Sequence, residues 1–149
     1  MRIVVGGEDV TEALRAPALA TIASQVSAYA CVRDLLVPIQ RQIGQEGGVV
    51  AEGRDMGTVV FPGADIKFFL DGTLEARAAR RWRELVAQGF SVDLETTLKE
   101  TRDRDERDRE RRLSPLRGAE HAIVIDTTDL TLDEVGRRMF AECNAVRGG

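Results

Sequence analysis

Apolar residues along this chain gather into short runs separated by longer amphipathic stretches. Residues 48–51 (Gly-Val-Val-Ala), 66–71 (Ile-Lys-Phe-Phe-Leu-Asp) and 123–125 are brief and rich in β-branched or aromatic side chains, which predicts three buried strands. Between and after them the pattern turns helical. Residues 32–43 form a helix closed by Gly44, residues 74–88 one closed by Gly89, and residues 94 to about 112 a long charged helix ended by Ser114-Pro115. Residues 132–146 complete the series as an amphipathic helix. Nearer the amino end, residues 2–10 alternate enough for a strand that ends at a Gly6-Gly7-Glu8-Asp9 turn, and residues 11–15 and 17–27 read as helical, with Pro17 tolerated in a first turn. Short strands alternating with helices predict an α/β fold, a parallel sheet with helices on both faces.

The chain's 149 residues suffice for one domain with a core, and 43% hydrophobic with 31% charged residues describes a soluble globular protein rather than a disordered one. A net charge of -4 argues against a nucleic-acid binder that relies on bulk positive charge. The arginines are nonetheless locally concentrated, as a phosphate site requires. Cys31 and Cys143 lie far apart, with no Cys-x-x-Cys and a single histidine in the chain, so neither a zinc site nor a disulfide framework is suggested. Reduced thiols, no leader and no window resembling a membrane span point to a cytoplasmic protein.

The most informative run is residues 52–62, Glu-Gly-Arg-Asp-Met-Gly-Thr-Val-Val-Phe-Pro, which is expected to set a buried strand against an arginine and an aspartate. The carboxyl ends of strands are where an open α/β sheet presents groups to a ligand. Gly-Arg-Asp-Met-Gly-Thr-Val-Val-Phe-Pro followed by Ile-Lys-Phe-Phe-Leu-Asp resembles the bacterial cytidylate kinases, nucleoside monophosphate kinases of the P-loop class. Three further blocks extend the resemblance over nearly the whole chain, in the family's order: residues 23–28 with Val32-Arg33, residues 104–111 with Ser114-Pro115-Leu116, and residues 125–128.

The resemblance implies a partial P-loop kinase fold, with residues 1–46 as the segment that binds the nucleoside monophosphate, 47–98 as core strands and helix, 99–116 as an arginine-rich lid, and 117–149 as core strand and closing helix. It implies transfer of a phosphoryl group from ATP to CMP or dCMP, with Mg2+ accompanying ATP. Such catalysis is mostly positioning and charge neutralisation, work suited to the planar, permanently charged arginine fork. On the matching positions, Arg54, Arg104 and Arg111 act on the phosphates, while Ser24, Arg33 and Asp55 read cytosine. Asp108 with Arg104 holds the ribose hydroxyls. In a helix Arg104, Asp108 and Arg111 share one face, which places the aspartate between two arginines.

One element of the family pattern is missing from these residues: there is no Gly-x-x-x-x-Gly-Lys-Ser/Thr to cradle the donor phosphates. Gly6-Gly7-Glu8 and Gly47-Gly48 lack its lysine. The family places that loop upstream of Met1, so the expectation is that an upstream segment or a second chain supplies it, and that without it a slot opens beside the strands at 48–51 and 66–71.

Blander readings stand beside these. Residues 99–112 carry seven basic and six acidic side chains and could form a solvated helix laced with ion pairs. Ser24 would then be an ordinary helix serine, Arg33 a surface arginine and Asp55 a turn former, in a structural or interaction protein, or in a CMP-binding module without transfer chemistry. His121 has no partner acid at catalytic spacing and is expected to be structural or exposed. Trp82, Phe68, Phe69 and Phe90 read as packing residues. Glu52 and Asp126 stand where a strand end could offer magnesium a carboxylate, each alone a weak metal signal.

Overall fold

A computed structural model describes residues 2–110 and 118–147. The chain opens with a small antiparallel hairpin, β1 (Val4–Val5) paired with β2 (Glu8–Asp9). Gly6-Gly7 makes its turn, so Glu8 and Asp9 belong to a returning strand and not to the turn that the alternation predicted. A single 3-10 turn (Ala13–Arg15) leads into α1 (Pro17–Val26), with Pro17 in the first turn as expected, and then into α2 (Ala30–Ile43), which ends at Gly44.

The segment after α2 departs from expectation. Residues 48–51 form no strand, and Val50 is 98% exposed. Gly47 and Gly48, with φ of 74° and 66°, turn the chain just before it, and no strand among the described residues lies alongside to pair its backbone. A strand is stable only as part of a ladder. Residues 56–60 are likewise not a strand. They form a π-helical turn (Met56–Val60), in which the amides of Val59 and Val60 reach the Asp55 carbonyl at 2.9 and 3.2 Å and the Phe61 amide reaches that of Met56 at 2.7 Å.

That turn is strapped to α2. Arg41 donates from Nη2 to the Val59 carbonyl at 2.6 Å and from Nε to the Val60 carbonyl at 3.1 Å. The end of α2 also meets Phe61 closely: a Cβ on Gly44 would lie 2.4 Å from the Phe61 ring, so a larger residue there would require the ring to shift. Val60 is buried beneath.

The remaining elements follow the hydrophobic pattern closely: β3 (Phe68–Asp71), α3 (Leu74–Ala87), α4 (Leu94–Glu110), β4 (Ile123–Asp126) and α5 (Leu132–Arg147). Each of the three helices has a side chain at its start that satisfies an otherwise orphaned amide. Thr73 accepts from the Ala76 amide, and Asp93 accepts from the Thr96 amide at 2.7 Å. At α5, Thr131 and Glu134 serve each other in a capping box, the carboxylate taking the Thr131 amide at 2.8 Å and the Thr131 hydroxyl taking the Glu134 amide at 3.3 Å. These bonds hold the carboxyls of Asp93 and Glu134 below their ordinary pKa values.

β3 and β4 pair in parallel, Phe68 opposite Ile123 through Asp71 opposite Asp126, so both strands end in an aspartate at one edge of the sheet. The parallel sheet therefore has two strands among the described residues, not the predicted three, because residues 48–51 stand apart from it. The buried apolar side chains are Val60, Ala78, Leu85, Ile125 and Val135. Ala78 and Leu85 lie seven positions apart on one face of α3, the helix that packs on α4. The result is a mixed α/β structure in which α4, a mostly charged helix, is clamped from two sides.

Candidate functional site

Helix α4 turns two carboxylates inward, Asp105 and Asp108, three residues apart on one face and both almost fully buried. A buried carboxylate needs partners, because desolvation without compensation costs several kcal/mol. Asp108, 1% exposed, accepts from the Ser24 hydroxyl of α1 at 3.1 Å through Oδ1. Its Oδ2 lies 3.2 Å from Nε of Arg54 and 3.9 Å from Nε of Arg104 one helical turn earlier. Residues from α1, from the turn at 53–55 and from α4 thus converge on a single carboxylate.

Among the described residues the charge there does not balance. Two guanidinium groups face one carboxylate, and the Arg104 pKa is lowered first by burial and next by the positive charge of Arg54, with Asp108 only partly offsetting them. The Arg104 Nε is a buried donor with no hydrogen-bond partner among the described residues. Such a cluster holds surplus positive charge and donor capacity, the condition an anionic ligand relieves.

Immediately beside it in the chain, Asp55 forms an ion pair with Arg33 of α2, both side chains largely buried. The Asp55 carbonyl meanwhile closes the π-helical turn, so its backbone and carboxylate are both committed. Because Arg54 and Asp55 are consecutive, the Arg33–Asp55 pair and the Ser24–Asp108–Arg104 cluster are tied through one short turn, and the Arg41 strap fixes that turn on α2.

Of the residues singled out in the sequence, Ser24, Arg54, Arg104 and Asp108 come together, and Arg33 and Asp55 form the adjacent pair. Ser24 sits with Asp108, not with Arg33 and Asp55, the group in which its resemblance placed it. Asp108 lies between Arg104 and Arg54. Its expected second neighbour, Arg111, falls outside the described residues, as does Ser114-Pro115-Leu116. Glu52 is exposed and Asp126 is exposed, the latter's pKa lowered by the Thr128 side chain and then by the Thr128 amide, which it accepts at 2.9 Å. Among the described residues no group of three His, Cys, Asp or Glu side chains could hold a metal ion. His121 is exposed, its Nε2 3.6 Å from Oε1 of the equally exposed Glu120. Trp82 donates to the Val92 carbonyl at 3.1 Å in a packing role. Among the described residues, no helix is long and apolar enough to cross a membrane.

Sequence reasoning passed over three arginines that support this arrangement. Arg41 straps the turn, as above. Arg80 of α3 donates to the Thr127 hydroxyl at 3.0 Å and to the Thr127 carbonyl, holding the loop that leaves β4. Arg77 of α3 bonds the Gly72 carbonyl and the Asp105 carboxylate. The available signal was the run Arg77-Ala78-Ala79-Arg80-Arg81, basic residues at helical spacing around the small Ala78, but a charged helix face is usually only solvated. Two open clefts, of about 430 and 410 Å3, lie along α3 beside Arg80 and beside Arg77, and the Asp108 cluster lines neither.

Residues 1–145 match the family model for cytidylate kinase. Among curated relatives, a cytidylate kinase of Syntrophotalea carbinolica is 49% identical over 139 residues, covering 93% of this chain and 59% of the relative. One of Geobacter sulfurreducens is 49% identical over 138 residues, with 93% and 59% covered, and one of Pectobacterium carotovorum 45% identical over 146 residues, with 98% and 65% covered. The chain therefore spans about three fifths of the length of the curated relatives it matches.

Proposed function

The chain belongs to the cytidylate kinase family, and from that premise we propose that it carries the acceptor site for CMP or dCMP and the lid helix of a kinase that phosphorylates them from ATP. The observation that carries this reading is the buried Asp108 between Arg54 and Arg104, a cluster with more positive than negative charge and a spare donor. Arg54 and Arg111 neutralise phosphate, while Asp108 and Arg104 hold the ribose hydroxyls. Arg104 also draws charge from the transferred group as the lid closes.

Cytosine presents an exocyclic amine beside the N3 and O2 acceptors. Asp55 suits the amine and Arg33 the acceptors, and their mutual ion pair keeps both groups side by side before the base arrives. Ser24 reaches the base only by turning its hydroxyl away from Asp108. Bound nucleotide thus replaces contacts that the side chains already make with one another, which lowers the reorganisation required.

On this reading the donor-phosphate cradle lies outside these residues, on an upstream segment or a second chain whose strand would pair beside β3 and draw residues 48–51, which now stand apart, into the sheet. Uncovered Val49, Val50, Leu70 and Val124 support that reading. Among the described residues no group of carboxylates could hold a metal ion, so on this reading an ion accompanying ATP would be held by the phosphates and by the donor side. The working compartment on this reading is the cytoplasm.

Titration calorimetry of the full chain with CMP, dCMP and UMP tests the acceptor site, with Asp108→Asn as the control. Saturable CMP binding weakened by the substitution supports it; CMP binding indifferent to Asp108 overturns it. A second reading, CMP recognition without transfer, is favoured by the lack of Gly-x-x-x-x-Gly-Lys-Ser/Thr in these 149 residues. The two separate when the chain is joined to a donor-loop segment from a relative: ADP release in the presence of CMP then decides for the kinase.

A further inference from the structure

The geometry points to Arg77 as a positioning residue for the acceptor site, acting through Asp105, an inference that rests on the reading of Asp108 given above. Arg77 stands on the first turn of α3, directly after the sheet edge. Its Nε donates to the carbonyl of Gly72, the residue that follows β3, at 3.0 Å, and its Nη2 donates to Oδ2 of Asp105 at 2.5 Å. Asp105 has a side-chain exposure of 5% and lies one helical step before Asp108. The two buried carboxylates of α4 therefore have different anchors. One is pinned to the end of the sheet by Arg77, and the other is offered to Ser24 and Arg54.

A helix held at only one of these points could roll about its axis or slide along it. Asp105 and Asp108 are separated by 4.5 Å of rise and roughly 60° of rotation at ideal helix geometry, so fixing the first sets the position of the second. Arg77 is suited to this because one planar fork reaches a sheet carbonyl and a helix carboxylate together. A lysine ammonium has the charge but not the two-armed geometry. Sub-ångström placement of a binding group depends on such supports, which touch no ligand themselves.

The experiment compares the full chain with Arg77→Lys, Arg77→Met, Asp105→Asn and Asp108→Asn. Calorimetry reads affinity for CMP and for dCMP, and amide NMR without ligand reads the signals of Ser24 and Arg54. Arg77→Met is expected to weaken CMP binding about tenfold and to narrow the CMP-to-dCMP ratio as Asp108→Asn does, with Arg77→Lys intermediate. Combining Arg77→Met with Asp105→Asn should add nothing further. In Arg77→Lys the Ser24 and Arg54 amide signals should shift, although neither residue touches Arg77. A simple stabilising strut would lower the melting temperature and weaken both nucleotides alike. An unchanged ratio in the Arg77 variants, with a changed ratio in Asp108→Asn, overturns the inference alone. An unchanged ratio in Asp108→Asn overturns the sugar-binding reading, and the ligand-free signals then decide the positioning role: if Ser24 and Arg54 stay in place in Arg77→Lys, that role is rejected. Should Arg77→Met fail to fold, Arg77→Lys and Asp105→Asn carry the same comparison.

Discussion

Arg54 and Asp108 approach to 3.2 Å, Nε to Oδ2, and so tie the Gly53-Arg54-Asp55 turn to a helix far along the chain. Asp108 is 1% exposed, whereas the Arg54 side chain is 38% exposed, so the carboxylate is sealed while its partner reaches solvent. On the proposed reading this leaves the arginine open to an incoming anion, while the aspartate, its template in the free chain, accepts from a sugar hydroxyl only when one of its present partners gives way. Loss of the template leaves Arg104 and Arg54 repelling each other in a partly desolvated site. Asp108→Ala should therefore destabilise the fold by about 3 kcal/mol, in the range for a buried pair broken on one side. Chemical denaturation checks this, and a change below about 1 kcal/mol would show the cluster to be a solvated ion-pair network.

The sugar assignment predicts a split between two substitutions. In a kinase completed with a donor loop, Asp108→Ala should lower kcat/KM for CMP more than for dCMP, because a lost acceptor matters only where the 2′-hydroxyl exists. Arg111→Ala should lower both alike, since both acceptors carry the phosphate, and should slow transfer. Steady-state kinetics with the two acceptors make the comparison. Equal losses in Asp108→Ala would remove it from the sugar.

Asp55 pairs with Arg33 in a largely buried setting, so removing its carboxylate orphans a guanidinium and strips the base of an acceptor. Asp55→Ala should weaken CMP binding by about 1–3 kcal/mol, the usual cost of leaving buried polar partners unpaired. Calorimetry with CMP and UMP measures it. Undiminished affinity would exclude Asp55 from the base pocket.

Phosphoryl transfer needs a cradle for the donor phosphates, and these 149 residues lack the Gly-x-x-x-x-Gly-Lys-Ser/Thr that provides one. The 149-residue chain by itself should release no more ADP from ATP with CMP than without it. A coupled ADP-release assay is decisive, and robust turnover would require an ATP site of another kind.

The capping box at α5 predicts a pH effect. Hydrogen bonds from Thr131 lower the Glu134 pKa below its ordinary value of 4.5. A carboxyl depressed in the folded state contributes stability that is fully present above its unfolded pKa and is lost as pH falls through the folded one. Hydrogen exchange at the start of α5 should thus rise in wild type as pH is lowered below about 4.5, after correction for intrinsic rates. Glu134→Gln should abolish that dependence. A pH response retained in the variant would assign the effect to another group.

The helices were readable because their causes are local. The apolar period of residues 74–88, the glycine after it and the capping residues Thr73, Asp93 and Thr131 lie within a few positions of what they control, so α3, α4 and α5 fall close to where the pattern sets them. That Ser24, Arg33, Arg54, Asp55, Arg104 and Asp108 belong to one region was legible through a resemblance carried by whole blocks of residues. Their pairing was not. Helical spacing put Asp108 beside Arg104, but its further partners Arg54 and Ser24 come from other segments, and which groups reach a buried carboxylate depends on distances that only packing sets. Residues 48–51 have the composition of a strand, yet strand formation needs a neighbour's backbone, which no local pattern supplies, and Val50 stands exposed. Residues 56–60 read as a strand for the same reason. They become a π-helical turn closed by the Asp55 carbonyl and the Phe61 amide and held by Arg41, whose contacts exist only once α2 has docked.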